Sequence, residues 1–485
     1  MPAARPRKPK SAADTYVSPL VTRNASREMA AIFSPIRRAV TWRRIWLALA
    51  EAQHEMGLPI QAAQLRALRA KIDDVDLKAV ARYEKRLRHD VMAHLHVFAD
   101  QVPGAGGILH LGATSMDIVD NADLVLMREA LVVIQQWLVS AIDALAAQAR
   151  KHRKLPCLGF THFQPAQPTT VGKRIALWCW EFVRDLEEID ARIAGLRFRG
   201  IRGATGTQAG FLKLFDGSAA KVPQLERRVA AKLGFKVCEP VTGQTYSRKI
   251  DAQIISALAN IAAGVHKFAN DIRLLANLKE VEEPFGKSQI GSSAMAYKRN
   301  PMLCERATGL ARHVISLSQS AFQNAAEQWL ERTLDDSANK RLLIPEAFLA
   351  TDGIIQIVTH VAGGLVVYPK VMRARLDAEL PFMATEDILM EAAAARGDRQ
   401  HLHERIRVHS QAAAAEVKHH GRPNDLLERL QGDPAFTGVR IDRMLKPDAF
   451  VGLAPQQVDD FLKNVIAPLK RRHRTTPRRK PEIDV

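Results

Sequence analysis

The chain has 485 residues, 47% hydrophobic and 25% charged, the proportions of an ordinary globular protein with ample material for a core. Its formal net charge is +18, but residues 1–10 carry four of those charges and residues 470–485 a net five, which leaves +9 for the body. That excess suits an enzyme for anionic metabolites as well as it suits a nucleic-acid binder. The four cysteines, Cys157, Cys179, Cys238 and Cys304, form no CxxC pair, so a disulfide framework or zinc site is not expected and a reducing cytoplasm is. No uninterrupted apolar run reaches ~18 residues, which argues against a membrane span, and no secretory signal follows the basic start.

In chain order, residues 1–15 read as a basic disordered tail and 16–112 as a domain of shorter helices, one of them at 42–56. Residues 117–155 contain neither Gly nor Pro, and Leu124, Met127, Leu131, Ile134, Leu138, Ile142 and Leu145 recur every three or four positions. That is helical periodicity sustained over many turns. Residues 171–195, 244–283 and 302–344 show similarly long, nearly uninterrupted stretches. Helices of this length cover their apolar faces only by bundling, so the expected fold class is all-α, with an elongated central bundle over 113–368. A smaller helical domain is expected over 369–469, followed by a second basic, disordered tail at 470–485.

Four segments carry candidate chemistry. Residues 286–301, GKSQIGSSAMAYKRNP, lie between two long helical stretches. Their backbone N–H groups, with Lys298 and Asn300, could form a concave anion site and favour the charged form of a hydroxyl held among them. A flexible connection is the plain alternative. Residues 159–168, GFTHFQPAQP, set His162 between two Pro-punctuated turns just before a helix, where an imidazole could protonate a leaving nitrogen. Arg88-His89-Asp90 precedes His94 and His96; the spacing argues against metal and favours anion binding or a solvated helix face. Arg332, Ser337 and Arg341 could share one side of a helix start as an anion clamp or as surface ion pairs. Gly200, Gly203, Gly206 and Gly210 have no preceding strand and no following Gly-Lys-Ser/Thr, so a phosphate loop is rejected in favour of a tight connection.

Together these segments resemble the fumarase/aspartase superfamily and, within it, the adenylosuccinate lyase family. The likeness is carried by Gly112-Ala-Thr-Ser115, Thr161-His-Phe-Gln164, and Gly291-Ser-Ser-Ala-Met295 continuing into Lys298-Arg-Asn-Pro301. LRHDVMAH, GFTHFQPAQ, TGQTYSRK, DIRLLANLKE and ERTLDDSAN point to the branch that includes the animal enzymes, and the likeness spans about residues 23–468. The resemblance implies β-elimination of fumarate from adenylosuccinate and from the succinyl-aminoimidazole-carboxamide ribotide of purine synthesis, with no cofactor. It implies Ser292 as general base, His162 as general acid and Glu305 as the residue orienting that histidine. It also implies catalytic involvement of His89, with Lys298 and Asn300 on the succinyl carboxylates. Thr114, Ser115, Thr161, Gln244 and Ser293 would contact the succinyl part or its surroundings. Arg23, Asn24, Arg88, His89, Asp90, Arg306, Arg332, Ser337 and Arg341 would bind the anionic purine nucleotide. A cytoplasmic homotetramer with sites shared between subunits is implied, without membrane contact.

Two positions depart from the family's usual pattern, Asn24 where it has Tyr and Ala296 where it has Pro. Three other readings stand beside this one: a sister lyase acting on another succinyl or aspartyl amine, a helical protein binding nucleic acid nonspecifically through its tails, and a catalytically silent scaffold of the same fold. The third would require loss of His162 or Ser292, and both are present.

Overall fold

The computed structural model describes residues 15–286, 288–395, 398–440 and 447–483, so the expected tail at 1–15 lies almost wholly outside the described residues. A π-helical turn, Leu20–Asn24, leads into α1 (Arg27–Ile32), α2 (Pro35–Glu55), α3 (Ala62–Ala70), α4 (Leu77–Leu87) and α5 (Asp90–Asp100). Then come α6 (Ser115–Lys151), strands β1 (Pro156–Thr161) and β2 (Gln164–Thr170), and α7 (Val171–Gly195). Short α8 (Ala209–Leu214) and α9 (Lys221–Lys232) precede α10 (Lys249–Asn277), strand β3 (Val281–Glu282), α11 (Met302–Ala326) and α12 (Asp335–Gly363). Strand β4 (Val366–Val367) pairs with β3. The remainder is α13 (Pro369–Met383), α14 (Thr385–Ala394), α15 (Arg399–His420), α16 (Leu426–Gln431), α17 (Pro447–Phe450), α18 (Ala454–Phe461) and α19 (Ala467–Arg472).

The fold is all-α, as the periodicity predicts. Helices α6, α7, α10, α11 and α12 pack as an elongated bundle around one continuous apolar core. At ~1.5 Å per residue, α6 spans roughly 55 Å. Along it Leu124, Leu131, Ile134, Leu138, Ile142 and Leu145 are wholly buried, the residues whose spacing announces the helix. Separate cores hold the N-terminal helices around Trp42, Trp46 and Phe98, and the C-terminal helices around Ile388, Leu402 and Leu426. By length and composition α6 and α12 could each cross a membrane, but 67% and 83% of their most apolar windows are buried inside this protein. All four cysteines are free thiols, and burial pushes Cys157 up to about 11 and Cys238 up to about 12.

Three expectations need correction. Residues 302–344 are not one helical stretch: α11 stops at Ala326, a loop with Leu330 in the left-handed region intervenes, and α12 starts at Asp335. No Gly or Pro signals this break. Asp336 is drawn into a buried ion pair with Arg248, a tertiary contact invisible to local patterning. Residues 159–168 are not turns before a helix but most of a β-hairpin, with Thr161 paired to Gln164. His162 and Phe163 are its two turn residues, at φ 53° and 56°, the geometry that matches strand twist in two-residue hairpins.

The third correction concerns the C-terminal tail. Through residue 483 the described part of 470–485 is docked on the bundle, because its cations meet acidic residues of α1, α6 and α7. Arg478 Nε donates to Asp143 at 2.7 Å, His473 Nε2 lies 3.0 Å from Asp190, and Arg479 bonds Glu28 while its guanidinium sits 5.5 Å above Trp137. Ile483 packs against the central core. Replacing Arg479 with Ala, or ending the chain at residue 474, is expected to lower the thermal midpoint by a few degrees in differential scanning calorimetry.

In the C-terminal helices, Asp433 is buried and accepts from Ala435 N at 3.0 Å and Arg405 Nε at 2.7 Å, with His409 Nε2 2.8 Å away. Burial opposes the charge, but these partners outweigh it and hold the carboxyl at about 2. A depressed carboxyl contributes stability above its unfolded value of ~3.9 and loses it as pH falls through the folded one. Asp433→Asn should therefore destabilise the protein at pH 7, with the deficit shrinking towards pH 2 in urea titrations.

Candidate active site

At one end of the bundle the starts of α6, α10 and α12 converge on buried charge. Thr114 caps α6 reciprocally with Asp117, whose Oδ2 accepts from Thr114 N at 2.8 Å. Asp117 is wholly buried, and its Oδ1 also accepts from Arg202 N at 2.7 Å and pairs with the equally buried Arg199. These bonds clamp the Gly-rich connection after α7 against the α6 terminus, the tight connection expected there. One turn along α6, Asp120 accepts both terminal nitrogens of Arg248 at 3.1 Å each, and Arg248 Nε reaches Asp336 on α12 at 2.5 Å. Burial would raise Asp120, but Arg248, Lys340 and Arg199 hold its carboxyl below the ordinary range. Lys340 lies 3.0 Å from Asp123 and donates to Tyr246 Oη at 3.0 Å; Tyr246 donates to Asp251 at 2.6 Å.

This network floors a cleft of about 1060 Å³. Arg88, His89, Asp90, Thr114, Ser115, Gln244, Arg332, Ser337 and Arg341, all expected as site residues, line it together. Seven Lys and Arg side chains face four Asp and Glu, so the cleft is net cationic. Arg88 is the left-handed cap of α4 at φ 52°, which turns the chain so that His89 can cap α5. His89 Nδ1 accepts from Met92 N at 3.4 Å, leaving Nε2 to carry the neutral ring's proton towards Ser115 Oγ, also 3.4 Å away. Arg341 bonds Asp90 at 2.7 Å. Burial alone would raise Asp90, but the Val91 N–H and Arg341 hold its carboxyl below the usual range. Arg332 is only 16% exposed; its Nη1 lies 3.8 Å from Asp336 Oδ1 and makes no hydrogen bond among the described residues, a buried donor that an anion would satisfy.

The other expected groups sit elsewhere. At the opposite end of the bundle, His162 is exposed on the hairpin turn beside Thr161. The loop carrying Ser292, Ser293, Lys298 and Asn300 is closed at its base by buried Glu283, which accepts from Leu303 N at 3.0 Å and Cys304 N at 2.9 Å. Asn300 Nδ2 donates to Gly291 O at 2.7 Å, and a Cβ at 291 would collide with the Lys298 carbonyl. Within this tight loop Ser292 Oγ accepts from Met295 N at 3.1 Å and Ala294 N at 3.3 Å, donors that favour an oxyanion there. Lys298 is exposed and has no ion-pair partner among the described residues. Glu305 and Arg306 lie on the first turns of α11; Glu305 is 4.0 Å from Arg273, and no described hydrogen bond joins it to His162. Arg23 and Asn24 occupy a third place, the π-helical turn packed on the middle of α12. Within one chain, then, the cleft and the two acid–base candidates stand roughly 40 Å apart, the length of α10.

The sequence reading does not pick out Asp120, Asp123, Arg248, Asp336 or Lys340. The available signal is a run of charges at positions that helical spacing turns inwards, next to GQTYSRK and DDSANK. Such residues are almost never buried unless paired, and they are paired here.

Comparison with known proteins identifies the family. A lyase family profile matches residues 24–316, and one for the adenylosuccinate lyase C-terminus matches residues 381–461. Adenylosuccinate lyase of Saccharomyces cerevisiae is 51% identical over 93% of this chain and 94% of its own length. The chain belongs to the adenylosuccinate lyase family. The Schizosaccharomyces pombe and Schistosoma mansoni adenylosuccinate lyases are 48% and 46% identical, each over 94% of this chain and 96% of their own length. Among solved structures, a fumarate lyase from Mesorhizobium sp. BNC1 superposes with a TM-score of 0.76 at 26% identity, covering 90% of this chain and 98% of its own. For this member of the adenylosuccinate lyase family, Asp117→Ala would leave Arg199 buried and unpaired and free the cap of α6. It is expected to cost about 3–5 kcal/mol of stability in denaturant titration.

Proposed function

We propose that this protein is an adenylosuccinate lyase, splitting adenylosuccinate into AMP and fumarate and acting likewise on the succinyl-aminoimidazole-carboxamide ribotide. The observation that carries this reading is 51% identity to a yeast adenylosuccinate lyase along nearly the whole chain, with His162 and Ser292 both in place. Ser292, as alkoxide, removes the proton on the carbon beta to the nitrogen. Negative charge builds on the adjoining carboxylate, where Lys298 and Asn300 oppose it. The C–N bond then breaks as His162 protonates the departing nitrogen, and fumarate leaves. The cationic cleft with Arg332, Ser337 and Arg341 receives the nucleotide phosphate, and Thr114, Ser115 and Gln244 face the succinyl part.

The roughly 40 Å between the cleft and the two acid–base candidates supports a homotetramer in which each site draws on several subunits. Glu305 would then orient the His162 of another subunit. The four free thiols, three of them buried, support a cytoplasmic setting. Docking of Lys470, Arg478 and Arg479 on Asp143 and Glu28 occupies part of the basic tail and weighs against a nucleic-acid role.

Fumarate release from adenylosuccinate, with AMP in equal amount, is the expected activity, and Ser292→Ala and His162→Ala should each be nearly inactive. If sites are shared, mixing the two dead variants with subunit exchange should restore about a quarter of wild-type activity. Absence of fumarate from the folded wild type would discard the substrate, and absence of restoration would discard the sharing.

A further inference from the structure

Midway along α12, outside the cleft, lies a carboxylate without a role in the proposed chemistry. Asp352 is wholly buried and takes four donors. Its Oδ2 accepts from Ser26 N at 2.5 Å and Gln356 Nε2 at 3.0 Å; its Oδ1 accepts from Ser26 Oγ at 3.1 Å and Trp137 Nε1 at 2.8 Å. Ser26 in turn caps α1 by accepting from Met29 N at 3.2 Å. Burial pushes the Asp352 carboxyl up to about 6 against these donors.

The next residue, Gly353, lies directly beneath the turn that carries Arg23. A Cβ there would stand 2.9 Å from Asn24 O and 3.3 Å from Asn24 Cβ. Gln356 Nε2 also approaches Asn24 O, at 3.5 Å. The turn closes on itself, with Asn24 Nδ2 on Pro19 O and Ala25 N on Leu20 O, each at 2.8 Å. Arg23 is exposed and makes no hydrogen bond or ion pair among the described residues. A buried carboxylate is a costly way to fill a core. This one fixes residues 24–26 immediately after Arg23.

We infer that Asp352, with the bare backbone of Gly353 beside it, is a positioning residue for Arg23, seating the Leu20–Asn24 turn on α12 so that the guanidinium meets the nucleotide phosphate in a fixed direction. This rests on the reading of Arg23 as a phosphate contact. The test is steady-state kinetics with adenylosuccinate for Gly353→Ala, Asp352→Asn, Arg23→Ala and the double variant Asp352→Asn/Arg23→Ala, with thermal midpoints alongside. Gly353→Ala is the decisive single change, because Ala favours helix over Gly while its methyl displaces the Asn24 carbonyl.

For Gly353→Ala and Asp352→Asn, KM should rise about fivefold to tenfold with kcat within about twofold of wild type. Gly353→Ala should do so even if the displaced carbonyl lowers its thermal midpoint. The double variant should match Arg23→Ala alone, since nothing would remain to be positioned. A lower midpoint or kcat with unchanged KM would make Asp352 a stability anchor only and overturn the inference, as would multiplicative effects in the double variant. If Arg23→Ala leaves KM unchanged, the phosphate reading of Arg23 fails and takes the inference with it. If Arg23→Ala raises KM but the α12 variants do not, only the positioning role fails.

Discussion

The architecture hangs on two buried carboxylates at the start of α6. Asp117 and Asp120 stand one turn apart, fully buried, and between them hold Arg199, Arg248, the Thr114 and Arg202 N–H groups and, at longer range, Lys340. Ionised groups at this depth carry a desolvation cost of several kcal/mol each, which only close pairing offsets. The pairing therefore demands that the starts of α6, α10 and α12 and the connection after α7 meet at one point. Cleft residues from five separate stretches of chain are aligned as a consequence.

The long helices impose the second constraint. A bundle built on a helix of roughly 55 Å separates whatever its two ends carry. The cationic cleft sits at the end defined by Asp117 and Asp120; the hairpin with His162 and the loop with Ser292 sit at the other. Rigid helices do not bend the ends together, so within one chain the cleft does not meet His162 or Ser292. Sharing between subunits, as proposed, would also account for exposed features that look wasteful in one chain, such as a Lys298 with no ion-pair partner among the described residues and a histidine on an exposed turn. The same rigidity gives Asp352 its leverage, since α12 offers a stiff surface on which a short turn can be seated.

Much of this was legible in the residues. Helical spacing from Leu124 to Leu145 identified α6, and the glycine-free stretches identified the bundle, because burying one face of a long helix leaves a periodic trace. The loop with Ser292 and the clamp of Arg332, Ser337 and Arg341 stood out by residue type. The break between α11 and α12 did not, because it follows from the pull of Arg248 on Asp336 rather than from Gly or Pro. The hairpin at 156–170 was missed because Pro165 and Pro168 argue against strand, yet a two-stranded ribbon has open edges that tolerate them. The C-terminal segment was misread because composition counts its cations but not the Asp143, Asp190 and Glu28 that receive them.

By itself, then, the sequence determined the all-α class, the long helices, the residue types able to do acid–base and anion chemistry, and the family. These depend on local periodicity and on motifs contiguous in the chain. Only the tertiary structure decided which candidates share a cleft, which stand at the far end, and that a basic tail is a strap. It also revealed the buried ion network and the seat on α12. Those outcomes rest on contacts between residues tens to hundreds of positions apart, such as Arg248 with Asp120 or Asp352 with Ser26, and pairing energies of that kind leave no trace in local pattern.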